Sequence, residues 1–305
     1  MNAVVHELAP VVLFTYRRLH LLRRVVDSLL ANPESADTRL IAYSDGPRAE
    51  KDRQEVAEVR AYLQSLTGFK SIDLRFREHN LGLAESFMQG ISETLERHES
   101  GIFLEDDNLL SRHFLAFMNG ALTRFADNER VVCITGYSFP IWPKRREPYF
   151  IRGAETWSMA TWRRGWRVFE SDGSKLKRQL DARGLRRQVN RIGVDFYGML
   201  QQQIRGQIDS WGVRWWVSAF LHDMYCLYPH EPVCVSIGYG EGSVHCTTYD
   251  PLFRDRRELA SRPIDDLPEA VHESAGTTAL LRLMNARLAM QRLVRSAWRR
   301  VTRQR

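Results

Sequence analysis

The chain has 305 residues, 44% of them hydrophobic and 27% charged, enough to bury a full core as one large domain or two small ones. Its 44 Lys and Arg against 37 Asp and Glu leave a net charge of +7, which points to an acidic partner: nucleotide phosphate, nucleic acid or an anionic membrane surface. Four scattered cysteines argue against a zinc ribbon or dithiol motif, and no apolar run nears the roughly 20 residues of a membrane span.

From the N-terminus, Val11-Val12-Leu13-Phe14-Thr15 is an apolar run that predicts a buried strand. Helical spacing of Leu22, Val25, Val26 and Leu29, with Arg23, Arg24 and Asp27 opposite, predicts a helix over 19–30. Residues 39–44 read as a second strand, closed by the turn signal Asp45-Gly46-Pro47. An amphipathic helix over 50–66 ends before Gly68, a third strand covers 71–76, and a third helix covers 83–96. A fourth strand, 101–104, runs directly into Glu105-Asp106-Asp107. This alternation predicts a mostly parallel sheet flanked by helices, with ligands beyond the carboxyl ends of the strands. Three motifs fall at those ends: Thr15-Tyr16-Arg17-Arg18, Ser44-Asp45-Gly46-Pro47 and the acidic triplet.

Residues 140–242 are less regular and hold Trp142, Trp157, Trp162, Trp166, Trp211, Trp215 and Trp216. These read mainly as core, although an indole also packs well on the C–H face of a sugar. Residues 275–305 contain no acidic side chain and interleave Arg282, Arg287, Arg292 and Arg295 with Leu280, Met284, Leu288 and Leu293. That is a basic amphipathic helix, suited either to packing on its own domain or to lying on an anionic membrane.

Adjacent carboxylates repel, so a strand end that carries three calls for a cation or a basic partner. Hard oxygen ligands suit Mn2+ or Mg2+, above all when the ligand brings phosphate oxygens. The bland alternative is an acidic cap on a helix over 112–125, opened by Asn108 or Ser111. Asp45 is placed to accept a hydrogen bond from a ribose or a base, and Asn80-Leu81-Gly82 would let backbone N–H groups approach phosphate. Each is equally a plain turn or a helix-entry loop.

Taken in order, Leu13-Phe14-Thr15-Tyr16-Arg17-Arg18, Ser44-Asp45-Gly46-Pro47, Asn80-Leu81-Gly82-Leu83-Ala84 and Glu105-Asp106-Asp107 resemble the donor half of GT-A fold glycosyltransferases. The resemblance is to bacterial family 2-like sugar transferases and, more distantly, to the N-acetylglucosaminyltransferase I family. Thr156-Trp157-Ser158-Met159-Ala160-Thr161-Trp162-Arg163-Arg164-Gly165-Trp166, Ile208-Asp209-Ser210-Trp211 with Arg214-Trp215, and Ile237-Gly238-Tyr239-Gly240-Glu241-Gly242-Ser243-Val244-His245 extend it to about Cys246. It implies a GT-A, Rossmann-like α/β domain over 1–250, with a donor half (1–139) and an acceptor half (140–250). A C-terminal extension with the basic helix would cover 251–305.

The resemblance also implies roles. Asp107 would hold Mn2+ or Mg2+, with His245 a further ligand and Glu105 and Asp106 supporting the ribose and the ion. Thr15, Tyr16, Arg18, Asp45, Asn80 and Gly82 would hold the donor nucleotide, and Ser243 would lie in a loop over its diphosphate. Asp209 would be the general base, with Asp172, Asp195 and Glu155 as rivals. Glu-Asp-Asp departs from the commoner Asp-x-Asp motif, a change that the N-acetylglucosaminyltransferase I type tolerates.

The expected function is transfer of a sugar from a nucleotide-sugar, UDP-sugar favoured, to a glycan or lipid-linked acceptor, with inversion, in cell-surface polysaccharide or lipopolysaccharide synthesis. The expected location is cytoplasmic, with any membrane contact peripheral on the inner face, and no nucleic-acid partner is expected. Two alternatives stay open on sequence: a sugar nucleotidyltransferase, though no Gly-rich loop follows the first strand, and a non-catalytic binding protein.

Overall fold

Val11–Thr15 (β1) is buried along its whole length, and its side chains alternate between two cores. Val12 and Phe14 point to one core and Val11 and Leu13 to the other, which fixes β1 as an inner strand covered on both faces. The computed structural model describes residues 7–238 and 258–302, with side chains to residue 291.

The donor-side units follow in βα order. They are β1, α1 (Leu19–Leu30), β2 (Arg39–Ser44), α2 (Arg53–Gln64), β3 (Ser71–Phe76), α3 (Leu83–Arg97) and β4 (Ser100–Glu105). Short β5 (Asn108–Leu110) and α4 (Phe114–Arg124) come next, then β6 (Val131–Thr135), β7 (Tyr149–Arg152) and β8 (Met159–Trp162). Helices α5 (Arg163–Trp166), α6 (Gly173–Ala182), α7 (Arg186–Val189), α8 (Phe196–Ile204) and α9 (Trp211–Leu221) precede β9 (Tyr225–Tyr228) and β10 (Cys234–Ser236). The last element is α10 (Ala275–Thr302).

The main sheet has eight strands in the order β3-β2-β1-β4-β8-β6-β9-β7. β1, β2, β3 and β4 are mutually parallel, β8 runs against β4 and β6, β9 runs with β6, and β7 runs against β9. Six strands therefore share one direction, and their carboxyl ends define a single edge. This is the mostly parallel α/β sheet expected from the sequence. One core packs α3 and α9 on the sheet, and the other packs α1 and α4.

Of the expected tryptophans, Trp162, Trp166, Trp211, Trp215 and Trp216 are buried. Cys133, Cys226 and Cys234 are buried.

The C-terminal helix is more than a surface appendage. Thr277 and Leu281 are fully buried, Leu281 belongs to the α3–α9 core, and the Asn285 side-chain amide donates to the Ile192 carbonyl at 2.8 Å. Upstream, Ala260, Ile264 and Val271 join the opposite core, and the Ser111 hydroxyl donates to the Ala260 carbonyl at 2.6 Å. The first half of α10 therefore packs on its own domain. Arg292 and Arg295 lie beyond the described side chains.

The acidic-cap reading of the triplet fails. β5 intervenes between the triplet and α4, whose N-cap is His113, so neither Asn108 nor Ser111 opens that helix.

Candidate active site

β4 delivers the triplet to the carboxyl edge beside the end of β1, because Phe14 is paired with Glu105. The chain leaving β1 then folds its polar residues onto the triplet. The Arg18 guanidinium bridges two carboxylates, bonding Asp106 through one amino group and Asp107 at 2.8 Å through the other. The Tyr16 backbone N–H also donates to Asp106, at 3.4 Å.

One guanidinium does not balance three carboxylates. Burial, with Asp107 and Asp106 adding to it, pushes the Glu105 carboxyl up to about 8. Burial also pushes Asp106 up to about 6, although Arg18 pulls the other way. Burial alone would weaken the Arg18 charge, but Asp106 and Asp107 outweigh it and hold the guanidinium firmly protonated. The site thus gathers hard oxygen donors whose ionised forms burial penalises and a cation would favour, which fits Mn2+ or Mg2+. Arg18 occupies both Asp106 and Asp107, and among the described residues no three acidic, imidazole or thiol groups form a ready cation cage. An ion held by Asp107 would compete with Arg18 for that carboxylate.

A second strand closes over the triplet. β10 pairs with β5, setting Ser236 opposite Asn108, and the Ile237 N–H donates to the Asp107 carbonyl at 2.8 Å. At Gly238 a Cβ would stand 2.0 Å from an Asp107 carboxylate oxygen, so any larger residue there has to shift the Asp107 side chain or the strand. Ser243 and His245 follow this contact in sequence and lie outside the described residues.

The other donor-side candidates build the floor of the edge. The Asp45 carboxylate is buried and accepts the backbone N–H groups of Gly46 (3.1 Å), Leu81 (2.9 Å) and Gly82 (3.0 Å), joining the ends of β2 and β3. Gly82, with φ +78°, is the N-cap of α3. The Asn80 amide donates to the Gly46 carbonyl at 2.9 Å, and the Thr15 hydroxyl to the Tyr43 carbonyl at 3.2 Å. Asp45, Asn80 and Thr15 thus hold backbone, whereas Tyr16 and Arg18 meet the triplet region directly. Sequence reasoning missed Asp52. Buried to 4% exposure, it accepts the Tyr16 hydroxyl at 2.9 Å and Arg17 at 2.9 Å, and so fixes the Tyr16 ring. Its position at the start of an apparently amphipathic helix disguised it as a surface acid.

On the acceptor side the rival carboxylates separate by what they already do. Asp172 caps α6 by accepting the Ser174 N–H at 2.8 Å, and Asp195 caps α8 by accepting the Gly198 N–H at 3.0 Å. Asp209 is exposed, one residue before the Ser210 N-cap of α9. Burial weakens the Arg214 charge, and Asp209 and Glu85 together oppose that. Stacked rings Trp211, Phe87 and Phe14, 5.3 and 4.0 Å apart, tie the start of α9 to β1. Glu155 stands at the active edge just before β8, accepting the Thr156 N–H at 2.8 Å and the Tyr228 hydroxyl at 3.4 Å. Burial holds its carboxyl above the usual range.

Residues 11–174, more than half of the chain, match Glycosyl transferase family 2. The chain belongs to that family. Its sheet is the GT-A, Rossmann-like type. The matched span contains the donor edge, the triplet and Glu155 but ends before Asp209. No curated protein compared with the chain matches it. Among solved structures, TarS 1–349 of S. aureus is 14% identical over 51% of this chain and 47% of that one, with a TM-score of 0.34. A second TarS structure is 12% identical over 51% and 28%, with a TM-score of 0.34. The mannosyltransferase PcManGT from Pyrobaculum calidifontis, in complex with GDP-Man and Mn2+, is 12% identical over 59% and 48%, with a TM-score of 0.32. The match spans about half of those chains or less, and likeness at this level says nothing of substrate.

Proposed function

We propose that this family 2 member is a metal-dependent glycosyltransferase that moves a sugar, hexose or N-acetylhexosamine, from a nucleotide-sugar to a hydroxyl of a glycan or lipid-linked acceptor. A UDP-sugar is the favoured donor, and cell-surface polysaccharide or lipopolysaccharide is the favoured product class. The observation that carries the reading is the Glu105-Asp106-Asp107 triplet at the carboxyl edge of a family 2 sheet, with three carboxylates to one guanidinium. Residues 1–139 would supply the donor half and 140–250 the acceptor half, with 251–305 as an extension and its basic helix as a contact with an anionic membrane.

In this reading Asp107 and His245 hold Mn2+ or Mg2+, which supplies charge stabilisation for the departing diphosphate. Tyr16, Arg18, Asp45, Asn80 and Gly82 shape the nucleotide site, and Ser243 closes over the diphosphate. Asp209 takes the proton of the acceptor hydroxyl, an effect of typically about 10² to 10⁴-fold. One displacement with one base inverts the anomeric carbon, and an NMR spectrum showing the donor's own configuration in the product would reject that.

The test is a thermal-shift and turnover screen against UDP-, GDP-, dTDP- and CMP-sugars with and without Mn2+, on the native chain and Asp107→Ala. Metal-dependent stabilisation and turnover with one nucleotide class, lost in Asp107→Ala, is the expected result. Turnover that is indifferent to chelator and to Asp107→Ala overturns the metal reading.

A further inference from the structure

The connection from β6 to β7, residues 136–148, rims the active edge, because β6 ends there and β7 begins there. Its two roots are fixed. Ile141 and Tyr149 are each 5% exposed, the Tyr149 hydroxyl accepts the Phe139 N–H at 3.3 Å, and the Tyr149 ring stacks on Tyr228. Only β8 separates β4 from β6 in the sheet, so the nearer root stands about 10 Å along the edge from the triplet, two strand spacings.

Between those roots Trp142, Pro143, Lys144 and Arg146 are exposed, and Arg145 is half-buried. Trp142 is 79% exposed, the most exposed large hydrophobic side chain among the described residues, whereas five other tryptophans are buried to 9% or less. An indole gains most by leaving water, and one held out on a braced loop is placed for something outside the domain. Among the described residues, Lys144, Arg145 and Arg146 have no carboxylate partner, and the Nε of Arg145 is buried without a hydrogen-bond acceptor. A tryptophan beside unpaired cations, with two prolines bracketing the segment, matches the chemistry of an anionic membrane interface. Indole settles at headgroup level, and lysine and arginine take lipid phosphates.

We infer that residues 142–146 are an interfacial anchor that seats the active edge on an anionic phospholipid surface. This rests on the membrane-surface reading above, but moves the contact from the arginine-rich tail to the rim of the active site. The acceptor hydroxyl is then presented from the same surface, which specifies a lipid-linked glycan whose phosphate lies among Lys144, Arg145 and Arg146.

The experiment uses the full chain with vesicles of phosphatidylcholine, with and without phosphatidylglycerol, and a matched set carrying brominated acyl chains. Binding should require phosphatidylglycerol, and bromine should quench part of the tryptophan emission. Trp142→Phe should abolish that quenching, whereas Trp298→Phe, in the tail, should leave it. Lys144→Gln with Arg146→Gln, both exposed positions, should weaken vesicle binding about tenfold or more while leaving the thermal melt unchanged. Quenching lost in Trp298→Phe and kept in Trp142→Phe overturns the inference and leaves the tail as the contact. Absence of vesicle binding by the native chain overturns both, without touching the glycosyltransferase assignment. Stabilisation by inorganic phosphate without vesicle binding makes the loop a soluble-phosphate site and likewise overturns it.

Discussion

The two halves of the sheet present their chemistry in different ways. From β1 to β4 every strand runs the same way, so each strand end delivers its next residues to one edge, and a site assembles from consecutive loops: Tyr16 and Arg18, Asp45, Gly82, then the triplet. From β6 to β9 the strands run in both directions, and among the described residues Glu155 reaches the edge through a pre-strand turn, Asp209 through a helix start and Trp142 through the β6–β7 connection. The donor half is thus constrained by topology, whereas the acceptor half is constrained by packing: the Phe14–Phe87–Trp211 stack and the Tyr149–Tyr228 pair hold its pieces in place. A parallel edge can be read as a list, and an antiparallel one has to be seen.

The sharpest way to break that contrast is to ask which acceptor-side carboxylate works. Asp209→Asn should lower kcat by about 10² to 10⁴-fold with little change in donor KM, and Glu155→Gln by less than about tenfold. The reverse order in steady-state kinetics would transfer the base to Glu155 and leave Asp209 as a partner of Arg214.

Next in size is the seam between the extension and the domain. Leu281 is fully buried in the α3–α9 core, so Leu281→Ala should cost about 2–5 kcal/mol in a urea titration. A cost below about 0.5 kcal/mol would mean that α10 is as detachable as its basic sequence suggests. Truncation before Ala275 should therefore unfold the chain rather than only release a tail.

On the donor edge, Gly238→Ala drives a methyl group to 2.0 Å from an Asp107 carboxylate oxygen. The strand or the carboxylate has to move, and about 1–3 kcal/mol of stability should go with it, together with metal-dependent stabilisation. An unchanged melting temperature and an unchanged Mn2+ response would show that β10 does not press on the triplet.

The smallest effect is a pH slope. Burial holds the Glu155 carboxyl above its ordinary 4.5, and its hydrogen bonds from Thr156 and Tyr228 offset this only in part. The folded state therefore prefers the protonated acid: its contribution is fully present below pH 4.5 and is lost as pH rises through the raised value. Glu155→Gln cannot ionise, so its stability relative to the native chain should climb with pH across that window. A flat difference between urea titrations below pH 4.5 and near neutrality would place Glu155 in contact with water or a fixed cation.

Much of this was legible in the residues alone. The segments 11–15, 39–44 and 71–76 coincide with β1, β2 and β3: β1 and nearly all of β2 are buried runs covered on both faces, whereas the edge strand β3 alternates Ile72, Leu74 and Phe76 with Ser71, Asp73 and Arg75. The helix over 19–30 was equally plain from Leu22, Val25, Val26 and Leu29. Alternation then fixed a mostly parallel sheet and brought Arg18, Asp45 and Asp107 to one edge, since βα units leave every strand end on the same side.

Partner choice was not legible. That Arg18 would bridge Asp106 and Asp107, that Asp45 would hold the Leu81 and Gly82 backbone, and that Asp52 would fix Tyr16 all depend on which side chain lies nearest after folding. Period and composition carry no information about that. The same holds for α10, where one basic amphipathic pattern served two readings, and only the burial of Leu281 decided that its first half belongs to the core. Local pattern determines which segments become strands and helices because backbone geometry repeats every two or 3.6 residues. Distances across the sheet are set by how those segments pack, and the chemistry of the site is made of those distances.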